Sequence, residues 1–416
     1  MATQSLSPVV QTLHEYVQEG PTDFEITILP TVMTNEMETD ELSLEESLVL
    51  MEGQFLGMDA RSLPWMTRVI RKDYKTLKKT LLSAAAANNA DETTSASAGN
   101  TTDIHALHSQ ILMATNALML VNPDHSTAWG DRRRALIATS GDWVREMQFL
   151  NLLMTQHSKA PSSWGHRKYV LQQIVKLMVK ESDYEPKLVE LVNKEIALCS
   201  KIAEKFPKNY YAWTHRRYLW SSCILPHLQS DYATKTIVLL NQEFDALKLW
   251  LEKHISDHSA VHYLGQVLEM RFQHIQSNEI DSFLIAQKSL QLAKSLLDTH
   301  PDHESLWILR RLMVQIVFQH AQEITDSGRM AIHSLLEGLV EEVWTKATQS
   351  SEENGGYIGA TLVYAWSFLV WCMSQLGLGG QGRQKRLEDG LSVLQSDSHV
   401  YHKMWKTNGE EILFAK

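Results

Sequence analysis

The 416-residue sequence contains little cysteine and no excess of positive charge, and each shortage excludes a class of protein. Its three cysteines, Cys199, Cys223 and Cys372, lie far apart and form no Cys-x-x-Cys pair, which argues against a disulfide framework and against a thiolate metal site. The formal net charge of -10 leaves no basic surplus to neutralise phosphates, so nucleic-acid binding is disfavoured. With 44% apolar residues, the chain is predicted to be a globular protein of a reducing compartment.

The sequence also lacks a targeting signal and the common catalytic motifs. Residues 1–20 contain no basic segment followed by an apolar run, so neither secretion nor organelle import is predicted, and a cytoplasmic location is expected. No Gly-x-Gly-x-x-Gly, Walker A, Gly-x-Ser-x-Gly, His-Glu-x-x-His or EF-hand sequence occurs. These absences disfavour the commonest nucleotide, hydrolase and metal sites.

Three histidines, His254, His258 and His262, are the nearest approach to a metal site. Their spacing of four would place them on one helical face, where two imidazoles can bind zinc, and Asp257 could supply a further ligand. A turn expected within this segment interrupts that face, so exposed or helix-capping histidines are the favoured interpretation. No metal site is predicted in this chain.

One stretch, Ala360–Met373, is apolar enough to be considered as a membrane-spanning helix. Its fourteen residues fall short of the roughly 20 that a membrane helix needs. We therefore predict a helix that is buried or that faces a partner protein, and no membrane span.

What the sequence does contain is a repeated Trp-x-x-Arg motif. Four copies are clear, and a fifth, near residue 258, has lost both residues. Successive copies are 35 to 49 residues apart, which exceeds the 34-residue period of a tetratricopeptide array. A further copy around Trp366 would lack the arginine. The clear pairs are Trp129 with Arg132, Trp164 with Arg167, Trp213 with Arg216, and Trp307 with Arg310, and the motifs lie near 122–136, 160–171, 206–220, 258–268 and 300–314.

Each repeat is predicted to be a pair of helices. In residues 188–206, apolar residues recur at spacings of three and four, as in a helix with one buried face. Pro207 cannot continue that helix, and Asn209 can cap a second helix that starts near Tyr210. Because Trp and Arg three residues apart lie on one side of the second helix, we expect the indole to pack between pairs and the guanidinium to bind neighbouring carbonyls or carboxylates.

The rest of the chain is less regular. Residues 84–102 are mostly Ala, Ser, Thr, Asn and Gly and carry too little apolar surface to fold by packing, so a disordered insertion is predicted. Phe24–Pro30 alternates as a short strand does, and residues 43–56 have a helical pattern. We predict an N-terminal cap at residues 1–60 and a helical-repeat solenoid over residues 61–416.

The repeats resemble those of the alpha subunits of protein prenyltransferases. The likeness rests on KNYYAWTHRR, Lys208–Arg217, and covers about residues 104–314. It implies an all-α fold, a right-handed alpha-alpha superhelix (solenoid) of helix pairs. It also implies a heterodimer that is inactive as this chain alone, because in that family the alpha subunit wraps around a beta subunit that holds the zinc, the isoprenoid diphosphate and the acceptor cysteine. Geranylgeranyl diphosphate is then the co-substrate.

The resemblance implies four site residues. Lys208 matches the lysine beside the diphosphate leaving group, and Tyr210 matches the neighbouring tyrosine, so both are expected to be catalytic. A fixed ammonium suits this chemistry because negative charge grows on the bridging oxygen as the carbon–oxygen bond breaks. In the alternative interpretation, Lys208 only relieves the carbonyl dipole at the end of the preceding helix. Tyr211 and His215 are the implied substrate-binding residues.

One position departs from the family pattern. Tyr211 stands where the farnesyl and type-I geranylgeranyl enzymes have a glutamine that binds the carboxylate of a CaaX tail. Recognition of a non-CaaX tail, as in the Rab-type enzyme, or of a tail that already carries one lipid is therefore expected. The resemblance further implies pairing with the Rab geranylgeranyltransferase beta subunit and transfer of geranylgeranyl to a cysteine of a farnesylated Golgi SNARE.

A second hypothesis belongs to another class of protein. The chain could have kept the prenyltransferase shape and act as a non-catalytic scaffold or chaperone that binds prenylated proteins or prenyltransferases. Lys208 weakly favours the enzyme, because a scaffold has no need of a lysine at that turn.

Overall fold

The computed structural model describes residues 5–19, 25–29, 49–52, 55–91, 98–228, 233–275, 279–353 and 359–396. The chain divides into two compact units, Met1–His227 and Leu228–Lys416. The boundary predicted at residue 60 lies inside the first of them.

The first unit is built mainly of helices that pack in sequential pairs. The two helices of each pair are joined by a short turn, and α2 packs along α3. The last helix continues as a π-helical turn, Leu219–Ile224, and a 3-10 turn, Leu225–His227. The described helices of this unit are α1 (Pro8–Glu19), α2 (Leu63–Asp91), α3 (Ala98–Val121), α4 (Ser126–Ala138), α5 (Trp143–Gln156), α6 (Pro161–Met178), α7 (Tyr184–Lys205) and α8 (Tyr210–Tyr218).

The second unit repeats this plan. The pairs α9–α10, α11–α12 and α13–α14 pack on one another, and α15 packs on α14. The predicted all-α fold, an alpha-alpha solenoid of helix pairs, is confirmed in each unit. The described helices of the second unit are α9 (Ala233–Lys253), α10 (His258–His274), α11 (Glu279–Thr299), α12 (Glu304–Ala321), α13 (Asp326–Glu353), α14 (Ala360–Gln375) and α15 (Arg383–Ser396).

A small sheet near the N-terminus departs from the helical pattern. Strand β1 (Glu25–Leu29) confirms the predicted strand, and it pairs in parallel with β3 (Phe55–Asp59), which pairs antiparallel with β2 (Val49–Glu52). The helix predicted over residues 43–56 is wrong for residues 49–52 and 55–56, and residues 43–48 and 53–54 lie outside the described residues. The physical reason is that pairing with β1 buries Leu56 and Met58 on one face, and such tertiary packing overrides a weak local helical pattern.

The segment predicted to be a disordered insertion is largely helical. Helix α2 continues through residues 84–91 and α3 begins at Ala98, so the prediction of disorder is wrong for these parts of residues 84–102, and residues 92–97 lie outside the described residues. The run Ala84–Ala87 explains the difference, because alanine is the strongest helix former and extending an existing helix needs no new nucleus.

Two apolar helices lie inside the units. Helix α14 contains Ala360–Met373 and buries ten of its side chains, which confirms the buried helix predicted there. Within the described chain, one stretch is long and apolar enough to cross a membrane by length and composition, Ile104–Val121 of α3. That helix packs against α1, α2 and α4, as core helices of soluble proteins also do.

Candidate functional site

The candidate site begins at the turn between α7 and α8. Pro207 ends the first helix, and Asn209 caps the second, as predicted: its Oδ1 accepts hydrogen bonds from the backbone N–H groups of Tyr211 (3.1 Å) and Ala212 (3.4 Å). The Asn209 side chain is buried, and its Nδ2 donates to the carbonyl of Ser158 at 3.0 Å. Asn209 therefore holds the turn against the preceding helix pair.

Lys208, immediately before this cap, has an unusual backbone. Its φ of 60° lies in the left-handed region, which costs a non-glycine residue roughly 1–2 kcal/mol. Among the described residues, Ser140 (φ 49°) is the other non-glycine residue with positive φ. The Lys208 side chain is exposed, so the anchored turn directs an ammonium group toward solvent.

Two further lysines and an exposed tyrosine lie around Lys208. The side chain of Tyr210 is 57% exposed. The Nζ of Lys159 donates to the carbonyl of Pro207 at 3.5 Å. Burial lowers the pKa of Lys168, whose Nζ lies 5.1 Å from the centre of the Tyr218 ring, and the nearby Tyr210 opposes that shift. Three ammonium groups thus border one exposed turn, an arrangement suited to an anionic ligand such as a diphosphate.

The other predicted site residues differ in accessibility. Tyr211 is partly exposed, and its ring centre lies 5.8 Å from that of Tyr210 in an edge-to-face contact. His215 is completely buried, and its Nε2 donates to Glu195 at 3.0 Å. The structure therefore gives His215 a packing role in place of the predicted substrate contact.

Three of the four motif tryptophans, Trp129, Trp164 and Trp213, are buried as the packing prediction requires. Trp307 departs from that prediction, because its side chain is partly exposed. Indole N–H groups donate to the carbonyl six residues earlier in three motifs, at 2.7 Å for Trp129, 2.8 Å for Trp164 and 2.8 Å for Trp307. The indole therefore ties the start of the second helix to the turn before it.

Two of the three motif arginines of the first unit, Arg132 and Arg167, bind buried glutamates of the next helix pair. Arg132 Nε and Nη2 donate to the two carboxylate oxygens of Glu146 at 2.7 and 2.6 Å. Arg167 makes the same two-pronged contact with Glu195 at 2.7 and 2.5 Å. Since all four side chains are buried, each pair joins successive repeats in the interior. Arg216 is buried too and donates to the Ser200 hydroxyl at 3.1 Å.

A histidine completes each ion pair. His166 donates to Glu146 at 2.7 Å, as His215 does to Glu195, and the His166 ring stacks on Trp129 at 4.4 Å. Burial lowers the pKa of both histidines, so they are neutral near pH 7. We call Arg132–Glu146–His166 and Arg167–Glu195–His215 the buried triads.

The neighbouring charges in the triads lower the pKa of the glutamate carboxyl groups, whereas burial alone would raise it. Burial alone would raise the pKa of Glu146, but the Arg132 charge and the hydrogen bonds from His166 and Arg132 bring it down to about 2. Arg167 and His215 likewise hold the pKa of Glu195 at about 2. Both glutamates are therefore ionised and fully engaged, which makes them structural groups.

Sequence reasoning did not find Glu146, Glu195 and His166. A signal for them exists: each glutamate precedes the tryptophan of the following motif by 18 residues, and both of those motifs read Trp-x-His-Arg. The periodic position of the glutamates could therefore have predicted the partners of Arg132 and Arg167.

The three histidines with metal-like spacing have different environments and do not share a site. His254 stacks on Trp250 at 3.9 Å, His258 is exposed at the start of α10, and His262 contacts Gln266. Asp257 caps α10 by accepting from the N–H groups of Ser259 and Ala260. Within the described ranges, no group of three or more His, Cys, Asp or Glu residues is placed to hold a metal ion.

Comparison with known proteins identifies the repeats. The sequence model of the protein prenyltransferase alpha subunit repeat matches residues 143–174, 192–223 and 240–271, and each match runs from the first helix of a pair into the second. The third match includes the copy that has lost both Trp and Arg. The resemblance indicated by the sequence is thereby confirmed.

Individual relatives are more distant. The chain is 27% identical over 259 residues to protein prenyltransferase alpha subunit repeat-containing protein 1-B of Xenopus laevis, covering 53% of this chain and 58% of that protein. It is 22% identical over 275 residues to geranylgeranyl transferase type-2 subunit alpha of Saccharomyces cerevisiae, covering 59% of this chain and 79% of that protein. A solved structure of Candida albicans protein geranylgeranyltransferase-I complexed with GGPP aligns with a TM-score of 0.36 and 14% identity, covering 78% of this chain and 90% of that one. The chain thus spans less than two thirds of the length of the Xenopus relative.

Proposed function

Because this chain is built on protein prenyltransferase alpha subunit repeats, we propose that it is the alpha subunit of a heterodimeric protein geranylgeranyltransferase. Its partner is a prenyltransferase beta subunit, of the Rab type, which supplies the zinc and most of the isoprenoid site. The acceptor is a cysteine of a protein that already carries a lipid, such as a farnesylated SNARE. The name of the yeast relative, a geranylgeranyl transferase subunit, supports the choice of isoprenoid.

The observation that carries the proposal is the backbone of Lys208. An exposed lysine gains nothing in packing from the left-handed region, yet Asn209 and its bond to Ser158 hold it there. Strained residues that the surroundings hold in place are frequent at functional sites. In the proposed enzyme, the fixed ammonium lies against the diphosphate and stabilises the negative charge that grows as the leaving group departs. Lys159 and Lys168 add positive charge beside it.

The two tyrosines have different parts in the proposal. Tyr210, the more exposed, lies next to Lys208 and contacts the reacting isoprenoid end of the substrate. Tyr211 offers a single phenolic O–H where the CaaX enzymes offer an amide. A phenol cannot replace both donors of an amide to a carboxylate, so an unmodified CaaX peptide is a poor acceptor.

The test is Lys208→Ala in the assembled heterodimer. Alanine keeps a β carbon at the left-handed position, so the backbone strain stays while the ammonium and its exposed stem are removed. We expect a single-turnover rate of geranylgeranyl transfer to a farnesylated SNARE peptide that is about 10- to 1,000-fold lower. Complex formation with the beta subunit on a sizing column should be unchanged.

Ser140→Ala is the matched control, because Ser140 shares the positive φ but lies in the turn between α4 and α5. Its rate should equal that of the parent. If Lys208→Ala also transfers within twofold of the parent rate while the complex stays intact, Lys208 has no part in the chemistry. If the parent chain forms the complex but shows no transfer, the scaffold hypothesis replaces the enzyme.

A further inference from the structure

A groove in the second unit is lined mainly by hydrogen-bond donors. Side chains of α9 and α11 form its two sides, and Arg271 of α10 lies between them. Its volume is about 640 Å³, which is large enough for a small organic molecule. Three cations line the groove, Lys248, Lys288 and Arg271, whereas Asp245 is the one carboxylate among the described residues that line it.

The two lysines of this groove are accessible and unpaired. Lys248 belongs to α9 and Lys288 to α11, and both side chains are exposed. Neither lysine has a carboxylate within ion-pair distance in the described part of the chain. Their ammonium groups can therefore bind a ligand from the two sides of the groove.

Arg271 adds a buried positive charge at the floor of the groove. It is 4% exposed, and its Nε donates to the neutral amide oxygen of Asn241 at 2.9 Å. Burial lowers the pKa of Arg271 to about 10, and the charge of Asp245 opposes this shift only in part. Because a buried charge without a paired carboxylate is unfavourable, an anion in the groove stabilises Arg271 through its field, without touching it.

At two other cavities, lysines are paired with carboxylates of the chain itself. In the cavity between α5 and α7, two of the three lysines, Lys194 and Lys205, each contact a glutamate at 2.7 Å. In the cavity between α11 and α13, Lys346 contacts two carboxylates at 3.3 and 3.0 Å. The groove between α9 and α11 differs because both of its lysines lack such a partner, in a chain whose formal net charge is -10.

A phosphate ester suits these donors. It carries close to two negative charges at pH 7, and its oxygens accept hydrogen bonds from two ammonium groups at once. The amides of Gln287 and Gln291 lie on the same side as Lys288, and Asp245 lies on the other. Amides and a carboxylate bind hydroxyl groups well, because a hydroxyl both donates and accepts.

We propose that the groove between α9 and α11 binds the phosphate ester of a compound with several hydroxyl groups. Lys248 and Lys288 hold the phosphate, and Asp245, Gln287 and Gln291 hold the hydroxyl groups. The phosphate ester is either a free sugar or polyol phosphate or the phosphorylated inositol headgroup of a lipid. This site goes beyond the proposed transfer reaction and does not depend on it.

Titration calorimetry of the full chain at low ionic strength tests the free form of the ligand. The probes are myo-inositol 1-phosphate and glucose 6-phosphate, and the controls are myo-inositol, inorganic phosphate and citrate. Sedimentation with phosphatidylcholine vesicles, with and without phosphatidylinositol 4-phosphate, tests the lipid form. We expect binding to at least one phosphate ester or to the phosphoinositide vesicles, and weaker binding to every control. No binding to any of the phosphate esters, or binding of citrate that is equally tight, would overturn the proposal.

Substitutions assign the binding to the groove. Lys248→Met/Lys288→Met removes both ammonium groups at exposed positions, and the affinity for the phosphate ester should fall about 10-fold or more. Lys253→Met/Lys385→Met is the matched control, since it removes the same charge at exposed positions that do not line the groove. Its affinity should stay within about twofold of the parent. Equal losses in the two variants, or an unchanged affinity in a Lys248→Met/Lys288→Met protein that is folded by circular dichroism, would contradict the assignment.

Discussion

The two units hold their helix pairs with different side chains. In the first unit, buried triads of arginine, glutamate and histidine link one pair to the next. In the second, Tyr263 takes the histidine position and donates to Glu243 at 2.7 Å, and Arg271 binds the amide oxygen of Asn241 at 2.9 Å, both within the pair α9–α10. At the fifth motif, the Nε and Nη2 of Arg310 are without a partner in the described chain. The same repeat can therefore be held by ion pairs or by hydrogen bonds between one charged and one neutral side chain. This difference determines how each unit responds to mutation and to pH.

The largest effect is expected from breaking a buried triad. Glu195→Gln keeps the shape of the side chain but leaves the buried charge of Arg167 without an anion. The free energy of unfolding should fall by about 3–5 kcal/mol. Urea denaturation followed by circular dichroism measures it. Glu342→Gln in the second unit is the control, since Glu342 pairs with partly exposed lysines, and it should change stability by less than about 1 kcal/mol. Equal effects of the two changes would refute the distinction between the units.

Removing a motif tryptophan should reduce stability by different amounts in the two units. Trp164→Ala deletes a buried indole that contacts His215 and donates to Ser158, so we expect a loss of about 3–5 kcal/mol and a lower melting temperature. Trp307→Ala should lose less, about 1–2 kcal/mol, because Trp307 is partly exposed. A larger loss of stability in Trp307→Ala than in Trp164→Ala would contradict this prediction.

Acid should destabilise the first unit through its triads. The pKa of Glu146 and of Glu195 is about 2 in the folded chain against 4.5 unfolded, so their stabilisation is present above pH 4.5 and is lost as the pH falls toward 2. Each carboxyl contributes on the order of 3 kcal/mol. The pKa of His166 and of His215 is also lowered in the folded chain, so protonation of the unfolded state begins to reduce stability as the pH falls below 6.5.

Hydrogen exchange with mass spectrometry, at pH 7.5 and at pH 5, measures the histidine part of this response for each unit separately. After correction for the intrinsic exchange rates, α5 to α8 should lose protection at the lower pH more than α10, where Tyr263 replaces the histidine. A uniform loss across both units would show that the triads are not the acid-sensitive groups.

Substitution of Arg310 should have the smallest effect on stability. We expect Arg310→Met to lower the free energy of unfolding by less than about 1 kcal/mol, or to raise it, because the change removes a buried charge whose Nε and Nη2 have no hydrogen-bond partner in the described chain. Arg167→Met should lower stability by about 3–5 kcal/mol, since it strands Glu195. Urea denaturation measures the free energy of unfolding of both variants. An equal loss in Arg310→Met and Arg167→Met would show that the glutamate partner makes no difference.

The sequence predicted a large part of the fold and a smaller part of the site. Helix pairs, the break at Pro207, the cap at Asn209 and the burial of Trp129, Trp164 and Trp213 all follow from periodicity and from residues that act within a few positions of themselves. The strands β2 and β3 were missed because β3 pairs with β1, which is distant in the chain, and β2 pairs with β3. The resemblance to a family supplied Lys208 and Tyr210, but it also suggested a substrate contact for His215, which is buried.

The sequence by itself determined that this protein is a series of helix pairs marked by Trp-x-x-Arg, because helix starts, helix ends and buried faces are set by local spacing. Only the tertiary structure decided what each motif arginine binds. Arg132 meets Glu146, Arg167 meets Glu195 and Arg216 meets Ser200, whereas Nε and Nη2 of Arg310 meet no partner in the described chain. It also decided that Lys208 is held in the left-handed region, through the bond from Asn209 to Ser158. These outcomes depend on residues 14 to 51 positions apart in the chain, and a local pattern carries no information on which of several distant partners a buried charge will meet.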